Sequence, residues 1–210
     1  MILLYSYKTI KTENSDEFVE KRSRFIGYAK PVATEDEAIE FIKKIRTRHP
    51  DATHNVYAYK VRENNIQRYS DDGEPAGTAG IPTLDVIQKE GITDICVVVT
   101  RYFGGTLLGA GGLVRAYTKG AKIAIDAAQI LERYYCFEYT VNIDYTMLSK
   151  IQLEASGMGC IAGEVVYAND VTLTYYVPYD LEGFEEKLID ITNGRAIIKK
   201  CGNGKYVDVI

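Results

Sequence analysis

A glycine-rich segment that joins a buried strand to a helix is the part of this sequence best suited to chemistry. Within residues 101–117 the glycines are Gly104, Gly105, Gly109, Gly111 and Gly112. The first amide groups of a helix are unpaired and carry partial positive charge, and glycine lets an anion approach them closely. The segment lacks the GxxxxGK[ST] pattern, and Val114 stands where GxGxxG requires its last glycine. Anion binding and simple tight turning are therefore both open for these glycines.

The side chains that flank these glycines could extend an anion site. Arg101 and Arg115 could each form bidentate, charge-assisted hydrogen bonds to a phosphate or a carboxylate. Tyr102 and Phe103 could stack on a nucleic-acid base. No GxSxG, HExxH or Ser–Lys signature accompanies them. We therefore assign no catalytic residue and expect no cofactor.

An acidic loop, Ser70–Gly80, is the second candidate. Asp71, Asp72 and Glu74 place three carboxylates within four residues, and oxygen ligands of this kind suit a hard divalent cation. The same carboxylates could instead form ion pairs or cap a turn, so the presence of a metal is left open. Thr78, between two glycines, could help a nest of backbone amides bind an anion, or could simply shape the loop.

A local excess of positive charge is the third candidate. Residues 19–48 contain eight basic and five acidic residues. Arg24, next to Phe25 on a predicted strand, could contact phosphates, although such charge is more often a solvated surface. His54 begins another predicted strand. It could be a polar site residue, or it could be a histidine whose hydrogen bonds are satisfied within the protein.

The composition is that of a globular protein, with 210 residues, 46% of them hydrophobic and 26% charged. The formal net charge is −4, so any contact with nucleic acid must use a local basic patch. No stretch approaches the roughly 20 apolar residues that cross a bilayer, and no secretory signal is recognisable, so we expect no membrane partner. The four cysteines form no CxxC pair and predict reduced thiols in a cytoplasmic protein.

Hydrophobic periodicity predicts the order ββαββαβα for the first 130 residues. The first strands are expected at Leu3–Tyr7 and Phe25–Val32, with a polar connection between them. A capping box, Thr34-Glu-Asp-Glu37, begins a helix that ends before Pro50. The short apolar run Ile95–Thr100 is typical of a strand that is buried on both faces.

The remainder of the chain predicts the order βαββαβ, which is a ferredoxin-like arrangement. Its second helix is expected to be capped by Asp180, and the segment Gly202-Asn-Gly204 is expected to turn into a last short strand. The sequence therefore predicts an α+β protein of two domains, residues 1–131 and residues 132–210.

Four segments together resemble the signature of the IMPACT family, whose bacterial members are the YigZ-like proteins. These segments are Lys21–Ile26, His54–Tyr59, Ser70–Gly80 and Arg101–Tyr117. The resemblance implies an N-terminal domain similar to domain 2 of ribosomal protein S5. It also implies a C-terminal domain similar to a ferredoxin-like domain of elongation factor G.

The resemblance also implies a link to translation. Eukaryotic relatives regulate translation in the amino-acid-starvation response by competing for a protein that activates a kinase. They carry an additional N-terminal protein-binding domain that this sequence is expected to lack, so that partner is not carried over to this chain.

Two functional hypotheses follow. The first is a non-enzymatic protein that binds RNA, the ribosome or a translation factor through a cleft rich in glycine and arginine, with phosphate groups as the bound chemistry. The alternative is an enzyme or binding protein for a small molecule or nucleotide, because a class of small-molecule kinases shares the S5-like fold and a glycine-rich loop. A protein–protein adaptor with no anion ligand is a third outcome, and the oligomeric state is left open.

Overall fold

The computed structural model describes residues 5–209, which form a mixed α+β structure with two five-stranded sheets and five α-helices. These residues divide into two compact units. Residues 8–131 form the N-terminal unit. Residues from Glu132 onward form the C-terminal unit, together with the described residues that precede Lys8. This division assigns the described residues 5–7 to the C-terminal unit, whereas the sequence had placed residues 1–131 in the N-terminal domain.

The strands and helices up to residue 128 follow the predicted order with one addition. They are β1 (Ser6–Ile10), β2 (Asn14–Glu20), β3 (Ser23–Pro31), α1 (Glu35–Arg48), β4 (His54–Val61), β5 (Ile66–Ser70), α2 (Gly80–Lys89), β6 (Ile95–Tyr102) and α3 (Ala110–Ala128). The predicted first strand began at Leu3, which lies outside the described residues together with Leu4.

The added element is β2, in the segment that the sequence analysis treated as a polar connection. This strand pairs with β3 at the edge of an antiparallel sheet whose strand order is β2-β3-β6-β4-β5. Nearly all of its residues are exposed, with Phe18 as the partly buried exception. An edge strand of this kind lacks the apolar alternation by which a strand is recognised.

Strand β6 is the centre of the N-terminal sheet. Every residue from Ile95 to Arg101 is buried, because helix α1 covers one face of the sheet and helices α2 and α3 cover the other. The prediction of a strand buried on both faces is therefore confirmed. The register places Phe25 of β3 and His54 of β4 directly beside Arg101.

Helix α1 begins as the capping box predicts. The Thr34 hydroxyl accepts a hydrogen bond from the Glu37 amide at 3.2 Å, and the Glu37 carboxylate accepts one from the Ala33 amide at 2.7 Å. The helix ends at Arg48, before the predicted stop at Pro50. Basic residues crowd its last turn, where they complement the helix dipole.

The C-terminal unit has the predicted βαββαβ order. Its elements are β7 (Ile130–Ile143), α4 (Leu148–Gly157), β8 (Ile161–Tyr167), β9 (Val171–Pro178), α5 (Phe184–Thr192) and β10 (Ile197–Val209). Helices α4 and α5 pack on the same face of the sheet, where Ile151 and Leu188 join a core with Val141 and Leu173.

Two boundaries in this unit differ from the prediction. Helix α5 begins after Gly183, which has a left-handed backbone with φ of 76°, so Asp180 does not cap it. Strand β10 continues through Gly202-Asn-Gly204, with an irregularity in its register between Cys201 and Lys205, in place of a turn and a separate strand. No helix in the described part of the chain is long and apolar enough to cross a bilayer.

Candidate anion-binding site

A buried carboxylate joins the acidic loop to the glycine-rich segment. Glu74 Oε1 accepts hydrogen bonds from Arg101 Nη1 at 2.6 Å and from the Tyr117 hydroxyl at 2.7 Å. Glu74 Oε2 lies 3.8 Å from His54 Nε2. Only 3% of the Glu74 side chain and 6% of the Arg101 side chain are exposed. The loops at 70–80 and 101–115 therefore converge on one buried ion pair within the N-terminal unit.

Arg101 is directed into the protein and away from solvent. Its Nη2 lies 3.4 Å from the Ser23 hydroxyl, and its guanidinium lies between the rings of Phe25 and Phe103, at 5.5 Å and 5.4 Å from their centroids. Its Nε has no hydrogen-bond partner among the described residues. A phosphate would have to compete with Glu74 for this guanidinium, and breaking the buried ion pair costs free energy. Direct anion binding by Arg101 therefore stays a prediction, and this geometry disfavours it.

Tyr117 belongs to this cluster, although it was not among the predicted site residues. Its side chain is fully buried, and burial, together with the nearby charge of Glu74, raises the pKa of its hydroxyl. The hydroxyl therefore remains a donor to the carboxylate. A buried tyrosine hydroxyl needs a hydrogen-bond partner. The sequence could therefore indicate that Tyr117 has a partner, but it could not identify Glu74 as that partner.

Asp71 caps helix α2 from a distance in the sequence. Its carboxylate accepts hydrogen bonds from the amides of Gly77 at 2.9 Å, Ala79 at 3.0 Å and Gly80 at 2.8 Å. Burial opposes ionisation of this carboxyl, but the three amide bonds prevail and lower its pKa. The amides that were expected to form an anion nest near Thr78 thus already bind an anion of the chain itself, and the Thr78 hydroxyl donates to the Pro75 carbonyl at 2.7 Å.

Asp72 has a different set of partners. One carboxylate oxygen pairs with Arg46, and the other accepts the Asn55 amide at 2.6 Å. Its backbone carbonyl lies 2.8 Å from His54 Nδ1, and because a carbonyl only accepts, that nitrogen carries the proton. The described residues contain no cluster of histidine, cysteine or carboxylate side chains arranged to hold a metal ion. Asp72 and Glu74 thus form ion pairs, which was the alternative to metal binding. Asp71 instead caps backbone amides at the start of α2.

The first part of the glycine-rich segment is packed against the β2–β3 turn. A Cβ on Gly104 would lie 2.0 Å from the carbonyl oxygen of Arg22. The amide of Gly104 donates to the Ser23 hydroxyl at 3.2 Å, and the amide of Phe103 donates to the Thr53 hydroxyl at 3.0 Å. These two amides are therefore engaged within the protein, and Gly104 is required for close backbone packing.

The second part of the segment is open at Gly105 and Gly109, whereas a Cβ on Gly112 would lie 2.9 Å from Leu108 Cβ. Gly105 and Gly109 have positive φ of 81° and 72°, and a Cβ on either would meet nothing within 4 Å. Gly109 is the N-cap of α3, and no side chain caps this helix. A Cβ on Gly111 would approach Arg115 Nη1 at 3.6 Å. The first turn of α3 thus lies beside the Arg115 guanidinium.

Exposed side chains surround this open turn. Arg115 is exposed, and no acidic residue in the described part of the chain pairs with it. Phe103 is 44% exposed and Leu107 is 82% exposed. We call Phe103–Arg115 the glycine junction. It presents amides, a guanidinium and apolar side chains to solvent, which are the groups that bind a phosphate and its neighbouring base.

Arg24 and Tyr102 lie on the opposite face of the sheet from Arg101. They are direct cross-strand neighbours on β3 and β6. The Tyr102 hydroxyl is bonded to His49 Nδ1 at 2.8 Å, and the exposed Arg24 pairs with Glu17 at 2.6 Å. Side chains alternate between faces along a strand, so the structure does not bring these two residues to the glycine junction.

Comparisons with known proteins agree on one family over most of the chain. A family model described as "Impact N-terminal domain" matches residues 21–125, and one described as "Domain of unknown function (DUF1949)" matches residues 141–195. The chain is 43% identical to "IMPACT family member YvyE" of Bacillus subtilis, over 94% of this chain and 92% of that protein. It is 35% identical to "IMPACT family member YigZ" of Escherichia coli, over 83% of this chain and 87% of that protein.

Two further matches extend the comparison. The chain is 33% identical to "Protein IMPACT" of Rattus norvegicus, over 43% of this chain and 30% of that protein. A solved structure described as "Crystal structure of an hypothetical protein" superposes with a TM-score of 0.60 and 31% identity. It covers 95% of this chain and 99% of that chain.

Proposed function

Because the chain belongs to the IMPACT family, we propose that it is a non-enzymatic, translation-linked protein of the cytoplasm that binds RNA through the glycine junction. The bound groups are backbone phosphates and an adjacent base. Ribosomal RNA is one form of RNA in which a translation-linked protein would meet this chemistry. The first hypothesis from the sequence is thereby retained, with a smaller set of contacting residues.

The observation that supports this proposal is the combination of groups at the start of α3. The α2 start is filled by the Asp71 carboxylate, whereas the α3 start has no side-chain cap and lies beside the exposed Arg115. A phosphate placed there would receive amide hydrogen bonds and a guanidinium together. Phe103 supplies an exposed ring for stacking.

Further cations lie on the elements that border the glycine junction. Lys21 and Arg22 form the exposed turn between β2 and β3, whose backbone touches Gly104. Lys119 lies one helical turn after Arg115, with its Nζ 4.3 Å from the Phe18 ring centroid. These residues provide a local basic patch on a protein whose net charge is −4, as RNA binding by an acidic protein requires.

The buried cluster around Glu74 supports a positioning role. Arg101 and Tyr117 both donate to Glu74, and these bonds tie β6 and α3 to the acidic loop. The Arg101 guanidinium is buried and paired with Glu74, whereas Arg115 is exposed, which is why we assign Arg101 to the support of the junction and Arg115 to the ligand. No group in this arrangement is assigned a catalytic step.

The test is RNA binding as a function of salt. Fluorescently labelled ribosomal RNA fragments and single-stranded oligonucleotides are titrated with the full chain at several KCl concentrations. If several phosphates are neutralised, affinity falls steeply as salt rises, and Arg115→Gln should weaken binding and reduce the salt slope by about 1.

Lys150→Gln is the matched control, because it removes one positive charge from an exposed residue of the C-terminal unit. It should leave the affinity and the slope unchanged. An absence of salt-sensitive binding to RNA or to ribosomal particles would contradict the proposal. A melting-point increase with nucleotide and magnesium, without RNA binding, would instead favour the small-molecule alternative.

A further inference from the structure

A cavity of about 320 Å³ lies in the C-terminal unit, where the first turn of α5 meets strands β7, β9 and β10. Aromatic rings form much of its lining, which includes Phe137, Tyr139, Tyr179 and Phe184. We call this space the aromatic cavity. It belongs to a different unit from the glycine junction, and the proposed function uses none of its residues.

The rings meet because strand alternation and helix packing bring them together. Phe137 and Tyr139 are two positions apart on β7, so their side chains lie on the same face of the sheet. This is the face that the helices cover, because Tyr139 and Phe184 belong to one core. The ring centroids of Tyr139 and Phe184 are 5.1 Å apart, and those of Phe137 and Tyr179 are 5.5 Å apart. Four rings therefore surround one space.

A cation of the chain itself occupies part of the aromatic cavity. Lys200 of β10 pairs with Tyr139 of β7, so the two side chains lie on the same face of the sheet. The Lys200 Nζ lies 3.2 Å from the centroid of the Phe137 ring and 5.8 Å from that of the Tyr139 ring. The negative face of an aromatic ring attracts an ammonium group in this position. The rings of the cavity are thus arranged to accept an ammonium group.

Two carboxylates give the lining a negative charge. Glu185 and Glu186 line the cavity from the first turn of α5, where they also complement the helix dipole. The Tyr139 hydroxyl is hydrogen-bonded to Glu185, but no salt bridge in the described part of the chain includes either glutamate. Lys200 is the cationic residue of the lining. Two negative charges therefore face one positive charge, and the cavity favours a further cation over an anion.

The ammonium group already in the cavity is held only weakly. Lys200 is exposed, and its charge stands on a flexible four-carbon stem. No carboxylate in the described residues forms a salt bridge with it, so its contacts are with the two rings. A cation–π contact at an exposed site is weak. An ammonium group from solution can therefore compete with Lys200 for the same ring face.

We propose that the aromatic cavity binds an organic ammonium group, and that the Lys200 ammonium is a tethered occupant which this ligand displaces. Aromatic faces select an organic ammonium, whereas a hard metal ion requires several oxygen ligands. The volume lies at the lower end of the range of about 300–1,000 Å³ for small-molecule sites, so a small amine or a single side chain fits. A free quaternary amine and a lysine side chain of a partner protein are the two sources of such a group.

The experiment titrates the full chain with three small probes and follows the aromatic ring signals by nuclear magnetic resonance. Choline is the cationic probe. Dimethylbutanol, in which carbon replaces the charged nitrogen of choline, is the uncharged probe of the same shape. Nα-acetyl-lysine methylamide stands for a lysine side chain. At constant ionic strength, we expect saturable changes at Phe137 and Phe184 with the two cationic probes and none with dimethylbutanol at the same concentrations.

Lys200→Ala tests the displacement directly, because it removes the tethered occupant. It should strengthen choline binding about twofold to fivefold, the size of one cation–π contact at an exposed site. Lys199→Ala is the matched control, since it removes the same charge from the neighbouring exposed residue, which does not line the cavity. It should change the affinity less than about twofold. Both positions are exposed, so the fold is expected to survive.

Glu186→Gln tests the contribution of negative charge. It removes one charge from an exposed position of the lining, and it should weaken choline binding about twofold or more. Asp190→Asn is its matched control, because Asp190 is exposed on the same helix and does not line the cavity. It should bind choline as the unmodified chain does.

Tighter binding of a cationic probe than of dimethylbutanol, strengthened by Lys200→Ala, supports the inference. A lower dissociation constant for the lysine derivative than for choline identifies a lysine side chain as the ligand, and the reverse order identifies a free quaternary amine. Equal binding of choline and dimethylbutanol overturns the inference, because the cavity would then select only apolar shape. It also fails if no ammonium probe changes the ring signals, or if Lys200→Ala leaves binding unchanged or weaker. No probe contains phosphate or a base, so these results are independent of RNA binding.

Discussion

Replacement of Arg101 by methionine should destabilise the N-terminal unit by about 3–5 kcal/mol, because removal of one partner leaves the other charge buried and uncompensated. Glu74 would keep the Tyr117 hydroxyl at 2.7 Å as its donor. His54 Nε2, at 3.8 Å, lies beyond hydrogen-bond distance. The lost contacts of the guanidinium with the rings of Phe25 and Phe103 add to the cost.

The double variant Arg101→Met/Glu74→Gln isolates the charge effect. The glutamine carbonyl can still accept the Tyr117 hydroxyl, and no buried charge remains. We therefore expect the double variant to be more stable than Arg101→Met alone, with a coupling energy of about 2 kcal/mol or more. Arg101→Lys should not restore full stability, since an ammonium does not reproduce the forked contacts to Glu74 and Ser23.

The assay is urea unfolding at pH 7, followed by circular dichroism and by hydrogen exchange in peptides from β6 and α3. The exchange measurement assigns the change to the N-terminal unit, because a chain with two units need not unfold in one transition. A loss below about 1 kcal/mol for Arg101→Met, or additive effects of the two substitutions, would refute the reasoning.

The same double variant distinguishes support from ligand binding. If Arg101 only positions the loops, the double variant should bind RNA within about twofold of the unmodified chain, a difference of about 0.4 kcal/mol. If its affinity falls as far as that of Arg115→Gln while its fold is intact, then Arg101 contacts the ligand directly, and its assignment to a supporting role is wrong.

Three further predictions concern the loops and the thiols. Asp71→Asn should cost about 1–2 kcal/mol at neutral pH in urea unfolding. Because the pKa of Asp71 is lowered in the folded state, this difference should begin to shrink as pH falls below the ordinary value of 3.8, and it should disappear only below the lower pKa of the folded state. Gly104→Ala should lower the melting temperature more than Gly105→Ala, because the new Cβ at position 104 would lie 2.0 Å from the Arg22 carbonyl oxygen. At position 105 the new Cβ meets no atom, and the only cost is the left-handed backbone conformation, about 1–2 kcal/mol. Burial raises the pKa of Cys160 to about 11. The rate of alkylation of this thiol in the folded chain, measured by mass spectrometry, should therefore increase about tenfold per pH unit from pH 8 to 10. A rate that levels off near pH 9 would contradict this.

The local elements were predictable because short-range interactions determine them. The hydrogen bonds that begin α1 join residues within four positions of each other, and the apolar run of β6 marks a central strand by composition alone. Strand β2 escaped prediction because its stability comes from pairing with β3 at an exposed edge. Its own residues carry almost no hydrophobic pattern.

The candidate site was predictable in its parts and not in its connections. The glycine positions, the acidic loop and both arginines were recognisable from residue type and spacing. Arg101 and Tyr102 are sequence neighbours, yet the pleat of β6 sends one side chain under α2 and α3 and the other toward α1. Adjacency in the chain suggests one shared site for both residues, because it does not state which face each residue occupies.

The sequence by itself determined the family, the two-domain α+β architecture and most of the helices and strands, since these depend on periodicity, caps and motif spacing. Only the tertiary structure decided which charged side chains pair inside the protein and which remain exposed to solvent. The hydrogen bonds from Arg101 and Tyr117 to Glu74 span 27 and 43 residues of the chain. They form because sheet register and helix packing bring these groups together in the protein interior. Arg115 is left exposed by the same packing, since it lies on the outer side of α3.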